Sequence, residues 1–510
     1  MNNGKICISV CASTVEELLA KMAVADETAD VIEIRFDCLS PAEFDPPGEL
    51  PHEVLEKILS ATRKPILTTF RTKDQGGTRD LAAEERINFW STGYETDLCD
   101  LEEDVVEDSW YWIWGERICS FHDFSGVPDD VDAVYDRLSK TGVGILKIAV
   151  RADDITDAIP VWKLLDKAEK EGKRMIPIAM GEPGKWTRIL GIAHGAYLTY
   201  ASLDSGNETA PGQVTADDLI NVYRAKELDK NTEVYGIIAG NTSYSMSPYI
   251  HNAAFKAAGM NRVFVPMQVA DIDAFMRRMV KPETREIELN FHGFAVTNPH
   301  KQAVIEYLDE IDATAQKIGA VNTIKIADGR LYGYNTDAAG FIEPLKQRFP
   351  DLKGIKAAMC GAGGAARACI YALKQNGADV TLFVRDTAKA AGLANEFGIE
   401  ARDLPSKDAG SPFADFDILV NATPLGTKGE DESKTIAFAE QLGGIKLVYD
   451  LIYNPTETLL IREARKAGVP VIGGLEMLIE QAEQQYRIWT GNSGAGSVMK
   501  AAALKRLQQQ

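Results

Sequence analysis

Eight short runs of β-branched and aliphatic residues recur along the first part of the chain, separated by segments with apolar residues at helical spacing. The runs read ICISVCA from Ile6, VIEIRFD from Val31, PILTTFR from Pro65, TDLCDLEED from Thr96, ICSFHDF from Ile118, ILKIAV from Ile145, MIPIAM from Met175 and AYLTYAS from Ala196. Segments between them, such as TVEELLAKMAVADETA and DDVDAVYDRLSKTG, carry a helical period. An alternation sustained this many times predicts an α/β chain beginning with a (β/α)8 TIM barrel. The site of such a barrel lies where its strands end.

Polar residues break the runs at that end. Glu33, Arg35 and Asp37 fall on the second run, Arg71 closes the third, Glu102 closes the fourth, and His122 and Asp123 lie late on the fifth. Arg188 follows the seventh in GKWTRILG, and ETAPGQ follows the eighth. Lys147 stands in the middle of ILKIAV, where an unpaired ammonium is costly. Either it snorkels to water, or burial lowers its pKa and the neutral amine is a nucleophile. A neutral lysine adds to a ketone, and the resulting iminium ion acidifies the neighbouring C–H. A histidine such as His122 can take that proton and return it to a leaving hydroxyl. Taken alone, His122 reads better as a core histidine bonded to a backbone carbonyl. Arg188, Arg71 and Arg35 suit a substrate carboxylate and hydroxyls.

At 510 residues the chain has room for two to four domains. Its formal net charge of −20 argues against nucleic acid or an anionic membrane as partner. No apolar run is long enough to span a bilayer, and MNNGKICISVCAS enters a strand with no secretory segment before it. The seven cysteines (Cys7, Cys11, Cys38, Cys99, Cys119, Cys360 and Cys369) show neither CxxC nor Cys/His spacing. They read as reduced core residues of a cytoplasmic protein, with no metal site.

The helix expected over TADDLINVYRAKELD ends the barrel near Lys230, and the short link KNTEV leads to a new strand, YGIIAG. Further on, CGAGGAARACIYAL follows the strand IKAAM and opens a helix. Gly361, Gly363 and Gly364 permit a tight turn and close approach of a pyrophosphate to the helix N-terminus, with Ala362 and Ala365 completing the loop. An NAD site places an acid about 20 residues on, at the ribose diol. Here DVTLFVRD puts Arg385 there, Lys389 follows, and the missing acid favours the 2′-phosphate of NADP(H). Asp386 is the dissenting neighbour.

The motifs EIRFD, FRTKDQGG, SFHDF, LKIAV, TRILG and TAPGQ resemble, in order, the type I 3-dehydroquinate dehydratases over residues 5 to 225. The resemblance implies that Lys147 forms the Schiff base and His122 is the general acid/base. It implies that Glu33, Arg35, Arg71, Arg188, Thr209 and Gln213 bind substrate. Gln75 stands where that family has a glutamate beside the histidine. A glutamine can orient the imidazole but cannot stabilise imidazolium by charge, and Asp74 is adjacent.

Residues 233 to 505 resemble the shikimate dehydrogenases. GNTSYSMSPYIHN carries Ser245 and Ser247, with Tyr244 replacing the more usual histidine; AVTNPHK carries Thr297 and Lys301; GAVNT carries Asn322; and GYNTDAAGF carries Asp337. NATPLG supplies Asn421 and Thr423 on the cofactor side, while YDLIYNP and LEMLIEQA supply Tyr453 and Gln481 on the substrate side. Lys301 would donate the proton that follows hydride to the ketone oxygen, tuned by Asp337.

The expected organisation is a barrel over 1–228, a substrate-binding domain over 233–345 completed by helices in 475–505, and a Rossmann-type NADP domain over 346–474. Together the resemblances imply a bifunctional enzyme. It would dehydrate 3-dehydroquinate to 3-dehydroshikimate and reduce that ketone to shikimate, leaving the oligomeric state open. Two rivals remain: a quinate dehydrogenase, disfavoured by the paired serines, and a non-catalytic metabolite-sensing regulator, disfavoured by intact Lys147, His122, Lys301 and Asp337.

Overall fold

The computed structural model describes residues 2–509 apart from 45–48, 92–95, 112–114 and 407–408. Part of the loop LPSKDAGSPFADFD therefore lies outside the described residues. The chain forms two compact units, 1–245 with 261–291, and 246–260 with 292–510.

In the first unit the expected runs are strands β1 (Lys5–Val10), β2 (Val31–Arg35), β3 (Ile66–Thr69), β4 (Leu98–Glu102), β5 (Glu116–Asp123), β6 (Ile145–Arg151), β7 (Arg174–Met180) and β8 (Leu198–Ser202). All are parallel, in the order β7-β6-β5-β4-β3-β2-β1-β8, with the short β9 (Val214–Thr215) beyond β8. The sheet curls into a barrel, and the Tyr197 N–H just before β8 donates to the Met175 carbonyl of β7 at 2.9 Å. Side chains alternate across a strand, so residues two apart share the interior.

That alternation sorts the interior into three layers. Cys7, Val31, Leu67, Leu98, Ile118, Ile145, Ile176 and Leu198 form an apolar floor. Two residues on along each strand come Ser9, Glu33, Thr69, Asp100, Ser120, Lys147, Ile178 and Tyr200, nearly all polar yet buried. Two further on come Arg35, Arg71, Glu102 and His122, at the rim. The closed floor excludes water from below, so this unit's chemistry can face only the carboxyl ends of the strands.

Local signals set the helices. Thr14 caps Val15–Asp26 by accepting from the Glu17 N–H, and Asp130 caps Val131–Ser139 by accepting from the Ala133 N–H. The helix expected up to Lys230 is broken into a π-helical turn, Asp218–Val222, and a 3-10 turn, Ala225–Glu227. Arg224 between them takes φ +52°, which no α-helix continues through. The same unit contains β10 (Glu233–Ala239) paired in parallel with β11 (Arg262–Gln268).

The cysteine reading needs one correction: Cys11 and Cys38 form a disulfide across 27 residues of sequence, while the other five are free and buried. Cys11 follows β1 and Cys38 follows β2, and these strands are neighbours. Strand pairing, which sequence spacing does not reveal, brings the two thiols together.

The second unit holds β12 (Phe291–Val296), β13 (Glu310–Ile311), β14 (Thr323–Ala327) and β15 (Arg330–Tyr334), with β12–β14 and β14–β15 antiparallel and β13 parallel to β15. A parallel sheet follows, built from β16 (Lys356–Cys360), β17 (Asp379–Val384), β18 (Glu400–Asp403), β19 (Ile418–Asn421), β20 (Leu447–Asp450) and β21 (Val471–Ile472). Its order, β18-β17-β16-β19-β20-β21, reverses direction at β16, where a crevice for a dinucleotide opens. The two expected C-terminal helices run Gly474–Thr490 and Gly496–Gln509.

Candidate active sites

The barrel pocket, with the open space at its mouth, spans about 410 Å³. Its walls include Lys147, His122, Glu33, Arg35, Arg71, Arg188, Thr209 and Gln213, so every residue predicted for this half reaches one cavity. Lys147 is 5 % exposed and does not snorkel. Its Nζ donates to Asp100 Oδ2 at 2.7 Å and lies 4.2 Å from the centre of the Tyr200 ring. Arg71 Nη2 holds the other Asp100 oxygen at 2.8 Å. Burial pushes the Lys147 pKa down, and neighbouring Arg71 adds to this; Asp100 opposes the shift without reversing it. Burial alone would raise Asp100, but Arg71 and Lys147 hold it well below the usual carboxylate range.

His122 is buried, and both burial and the nearby Arg71 and Lys147 cations push its pKa well below the ordinary value. Its Nδ1 lies 3.0 Å from Arg71 Nη1. A guanidinium only donates, so Nδ1 accepts and the ring proton sits on Nε2. Gln75 does not orient the imidazole as expected. Its Oε1 accepts from the His122 backbone N–H at 2.9 Å, while Asp74 is exposed. The loop carrying Gln75 needs its glycine pair: Gly76 takes φ +86°, and a Cβ on Gly77 would meet the Arg71 carbonyl oxygen at 1.9 Å.

The other groups are held before substrate arrives. Arg35 makes a two-point contact with Asp37 at 2.8 Å each and donates to the Gly76 carbonyl. Ser9 and Thr69 donate to the two oxygens of Glu33. Gln213 Oε1 accepts from the Thr209 N–H at 2.7 Å. Burial pulls Arg188 down to about 10, so it stays cationic at neutral pH. Among the described residues it donates one long bond, 3.4 Å to the Pro211 carbonyl, which leaves its fork available to an anion. Asp100 and Tyr200 were missed in the sequence although both stand in quoted runs. Counting by two from Leu98 and Leu198 places them inside the barrel.

In the second unit Lys301 Nζ donates to Asp337 Oδ2 at 2.5 Å. Asn322 Nδ2 donates to Asp337 Oδ1 at 2.7 Å and to Thr336 Oγ1 at 2.9 Å. Thr336 also reaches Gln481 Oε1 at 3.5 Å. Lys301, Asp337, Asn322 and Gln481 therefore form one connected group. Ser247 opens the helix Ser247–Ala257 and is buried, and Thr297 and Tyr453 are half-buried in the same unit. Ser245 belongs to the first unit, its N–H on the Thr242 carbonyl.

The cofactor groove is lined by Gly361, Ala362, Gly363, Arg385, Lys389 and Thr423, among others. Gly361 takes φ +109°, and a Cβ there would stand 2.7 Å from the Ala422 carbonyl oxygen. A Cβ on Gly363 would meet nothing within 4 Å, which leaves a free backbone face at the start of the helix Gly364–Gln375 for a pyrophosphate. Gly364 lies under Lys301, 3.3 Å from a built Cβ to Lys301 Cδ, and Ala365 follows inside that helix. Asp386 caps the helix Thr387–Phe397 through the Lys389 N–H at 3.1 Å, so its carboxylate is engaged there. Asn421 does not line the groove. It is fully buried and shapes the wall by accepting from the Thr423 N–H and hydroxyl.

Four family models match the chain. Type I 3-dehydroquinase matches residues 6–230, the shikimate dehydrogenase substrate-binding domain 237–324, shikimate/quinate 5-dehydrogenase 343–429, and the shikimate 5'-dehydrogenase C-terminal domain 474–504. The chain is 34 % identical to the chloroplastic bifunctional 3-dehydroquinate dehydratase/shikimate dehydrogenase of Arabidopsis thaliana, over 96 % of this chain and 82 % of the relative. It is 37 % identical to the NADP(+) shikimate dehydrogenase of Methanopyrus kandleri, over 55 % of this chain and 98 % of the relative. A shikimate dehydrogenase solved in complex with NADP+ is 37 % identical and covers 55 % of this chain and 97 % of its own, with a TM-score of 0.50. The chain belongs to the bifunctional 3-dehydroquinate dehydratase/shikimate dehydrogenase family, a type I 3-dehydroquinase joined to an NADP-dependent shikimate dehydrogenase.

Proposed function

We propose that the barrel pocket dehydrates 3-dehydroquinate through Lys147 and that the Lys301 group reduces the product to shikimate. The observation that carries the first half is a buried lysine, its pKa lowered, beside a neutral histidine in a pocket with three arginines. Lys147 adds to the substrate ketone, and the iminium ion formed on loss of water withdraws electrons from the adjacent C–H. His122, neutral and with Nδ1 held by Arg71, takes a proton and returns it to the departing hydroxyl. Arg188 receives the carboxylate, and Glu33, Arg35, Arg71, Thr209 and Gln213 bind the remaining oxygens.

In the second unit, bound NADPH supplies the hydride. Gly361, Ala362, Gly363 and Thr423 form the wall against its pyrophosphate, and Arg385 and Lys389 take the 2′-phosphate, Asp386 being engaged in its cap. Lys301 donates a proton to the ketone oxygen while Asp337, fixed by Asn322, orients the ammonium. Ser245, Ser247, Thr297, Tyr453 and Gln481 are assigned to substrate. The domain boundaries 1–228, 233–345 with 475–505, and 346–474 belong to the same proposal.

Among the described residues no helix is long and apolar enough to cross a membrane. We place the protein in the cytoplasm, working on small molecules. Thiol titration of protein taken from cells without reductant checks this, because the Cys11–Cys38 bond is unusual in a reducing compartment.

Incubation with 3-dehydroquinate and NADPH, with the product read by mass and NMR, tests the whole reading. Shikimate is expected. Quinate would mean that the reductase takes the undehydrated ketone. No turnover of 3-dehydroquinate or of added 3-dehydroshikimate would overturn the assignment.

A further inference from the structure

The polar layer of the barrel is almost fully partnered from within. Ser9 and Thr69 donate to Glu33, Asp100 accepts from Lys147, and Ser120 donates to the Leu101 carbonyl while accepting from Arg71. Tyr200 is the exception. It is 3 % exposed, and its hydroxyl has no hydrogen-bond partner among the described residues. A buried hydroxyl left so costs about 1–3 kcal/mol, which nothing in the packing of an apolar floor requires, because phenylalanine would fill the same space.

The placement of the ring gives the hydroxyl a use. Tyr200 lies inside the barrel by the alternation of β8, two residues above Leu198 of the floor, and lines the pocket with Lys147 and Arg188. Its ring centre is 4.2 Å from Lys147 Nζ, so the phenol is held beside the amine that meets the ketone. Burial, with Asp100 and Glu33 near, pushes the phenol pKa well above its usual value, so it stays protonated. A protonated phenol with no acceptor among the described residues is a donor reserved for the ligand.

Resting on the assignment of Lys147, we propose that the Tyr200 hydroxyl donates a hydrogen bond to the substrate oxygen at the carbon attacked by Lys147, stabilising it as the carbinolamine forms. In that step the lone pair on nitrogen forms the N–C bond and the C=O π pair moves to oxygen. The proton the nitrogen gives up is the one the oxygen gains, so no outside reagent is needed. Tyr200 holds the oxygen without losing its own proton. The donor acts on charge that develops only as the N–C bond forms, so it favours the transition state over bound ketone.

Tyr200→Phe tests this, because it keeps the ring against Lys147 and removes one oxygen. The full-length protein is mixed with 3-dehydroquinate, quenched at intervals with borohydride, and the lysine adduct is followed by peptide mass. The expected result is adduct formation on Lys147 slowed by about 100-fold, with unchanged reduction of 3-dehydroshikimate and a thermal midpoint raised above the parent's, as loss of an unpartnered buried hydroxyl requires. Trapping as fast as in the parent protein would overturn the role of the hydroxyl and leave Lys147 standing. No adduct on Lys147 in the parent protein would overturn both assignments.

Discussion

Each half of the chain holds a lysine against an aspartate at nearly the same distance, 2.7 Å for Lys147–Asp100 and 2.5 Å for Lys301–Asp337. What surrounds the pairs differs. Asp100 is shared with Arg71, and both side chains of its lysine pair are at most 6 % exposed. The second cation thus draws on the same carboxylate, and with burial it leaves the lysine easier to deprotonate. Asp337 is instead braced by a neutral amide, Asn322, and the Lys301 side chain, which passes Gly364 of the cofactor loop, is 15 % exposed. Under the proposed function one residue pair thus serves covalent catalysis in a crowded cationic layer and proton donation where a single carboxylate has a single cation. The lesson is that the third group in contact, more than the pair, sets the chemistry.

The sharpest break of this comparison is Lys147→Ala. Dehydration should fall by at least about 10⁴-fold, with reduction of 3-dehydroshikimate within about two-fold, both read spectrophotometrically on one preparation. Loss of both reactions in a folded variant would mean that the two sites are not separate. Lys301→Ala should do the reverse with a smaller loss, about 10²- to 10⁴-fold in reduction, because a proton donor is replaceable by water and a Schiff-base nitrogen is not. Next comes Arg385→Ser. The KM for NADPH should rise about ten-fold, the loss of about one charged hydrogen bond, with NADH little affected and dehydration unmoved. An equal change for both cofactors would remove the phosphate assignment.

The smallest effect is on pH. The depressed His122 pKa means that the imidazole remains a base as pH falls through 6.5, the value for an ordinary histidine. The kcat/KM for dehydration should therefore stay level across that pH and decline only below it. A decline centred at 6.5 would show an imidazole free of Arg71 and Lys147. An Arg71→Ala variant should move the acid limb upward, since it removes a cation that disfavours imidazolium.

Much of both sites is legible from order and spacing. Strand alternation with helices, the glycine loop after IKAAM and a cation, Arg385, where an NAD site places its acid are local patterns, and local patterns survive in one dimension. The layers of the barrel were legible in principle as well, because counting by two along each run finds Asp100 and Tyr200. They were passed over because a polar residue in one strand means little until its neighbours across the barrel are known. Gln75 shows the limit from the other side. Its place in FRTKDQGG suggests contact with the imidazole, yet the loop's glycines set its oxygen on the His122 backbone N–H instead.

By itself the sequence determined the strands, most of the helices, the chemistry available at each strand end, and the kind of cofactor. Those follow from residue type and short-range periodicity. Only the tertiary structure decided which carboxylate faces which lysine, that Cys11 meets Cys38, that Asp386 is engaged as a helix cap, and that the Tyr200 hydroxyl is left without a partner among the described residues. Each of these depends on register between segments distant in sequence, and burial and charge set their energies through neighbours that no single stretch contains.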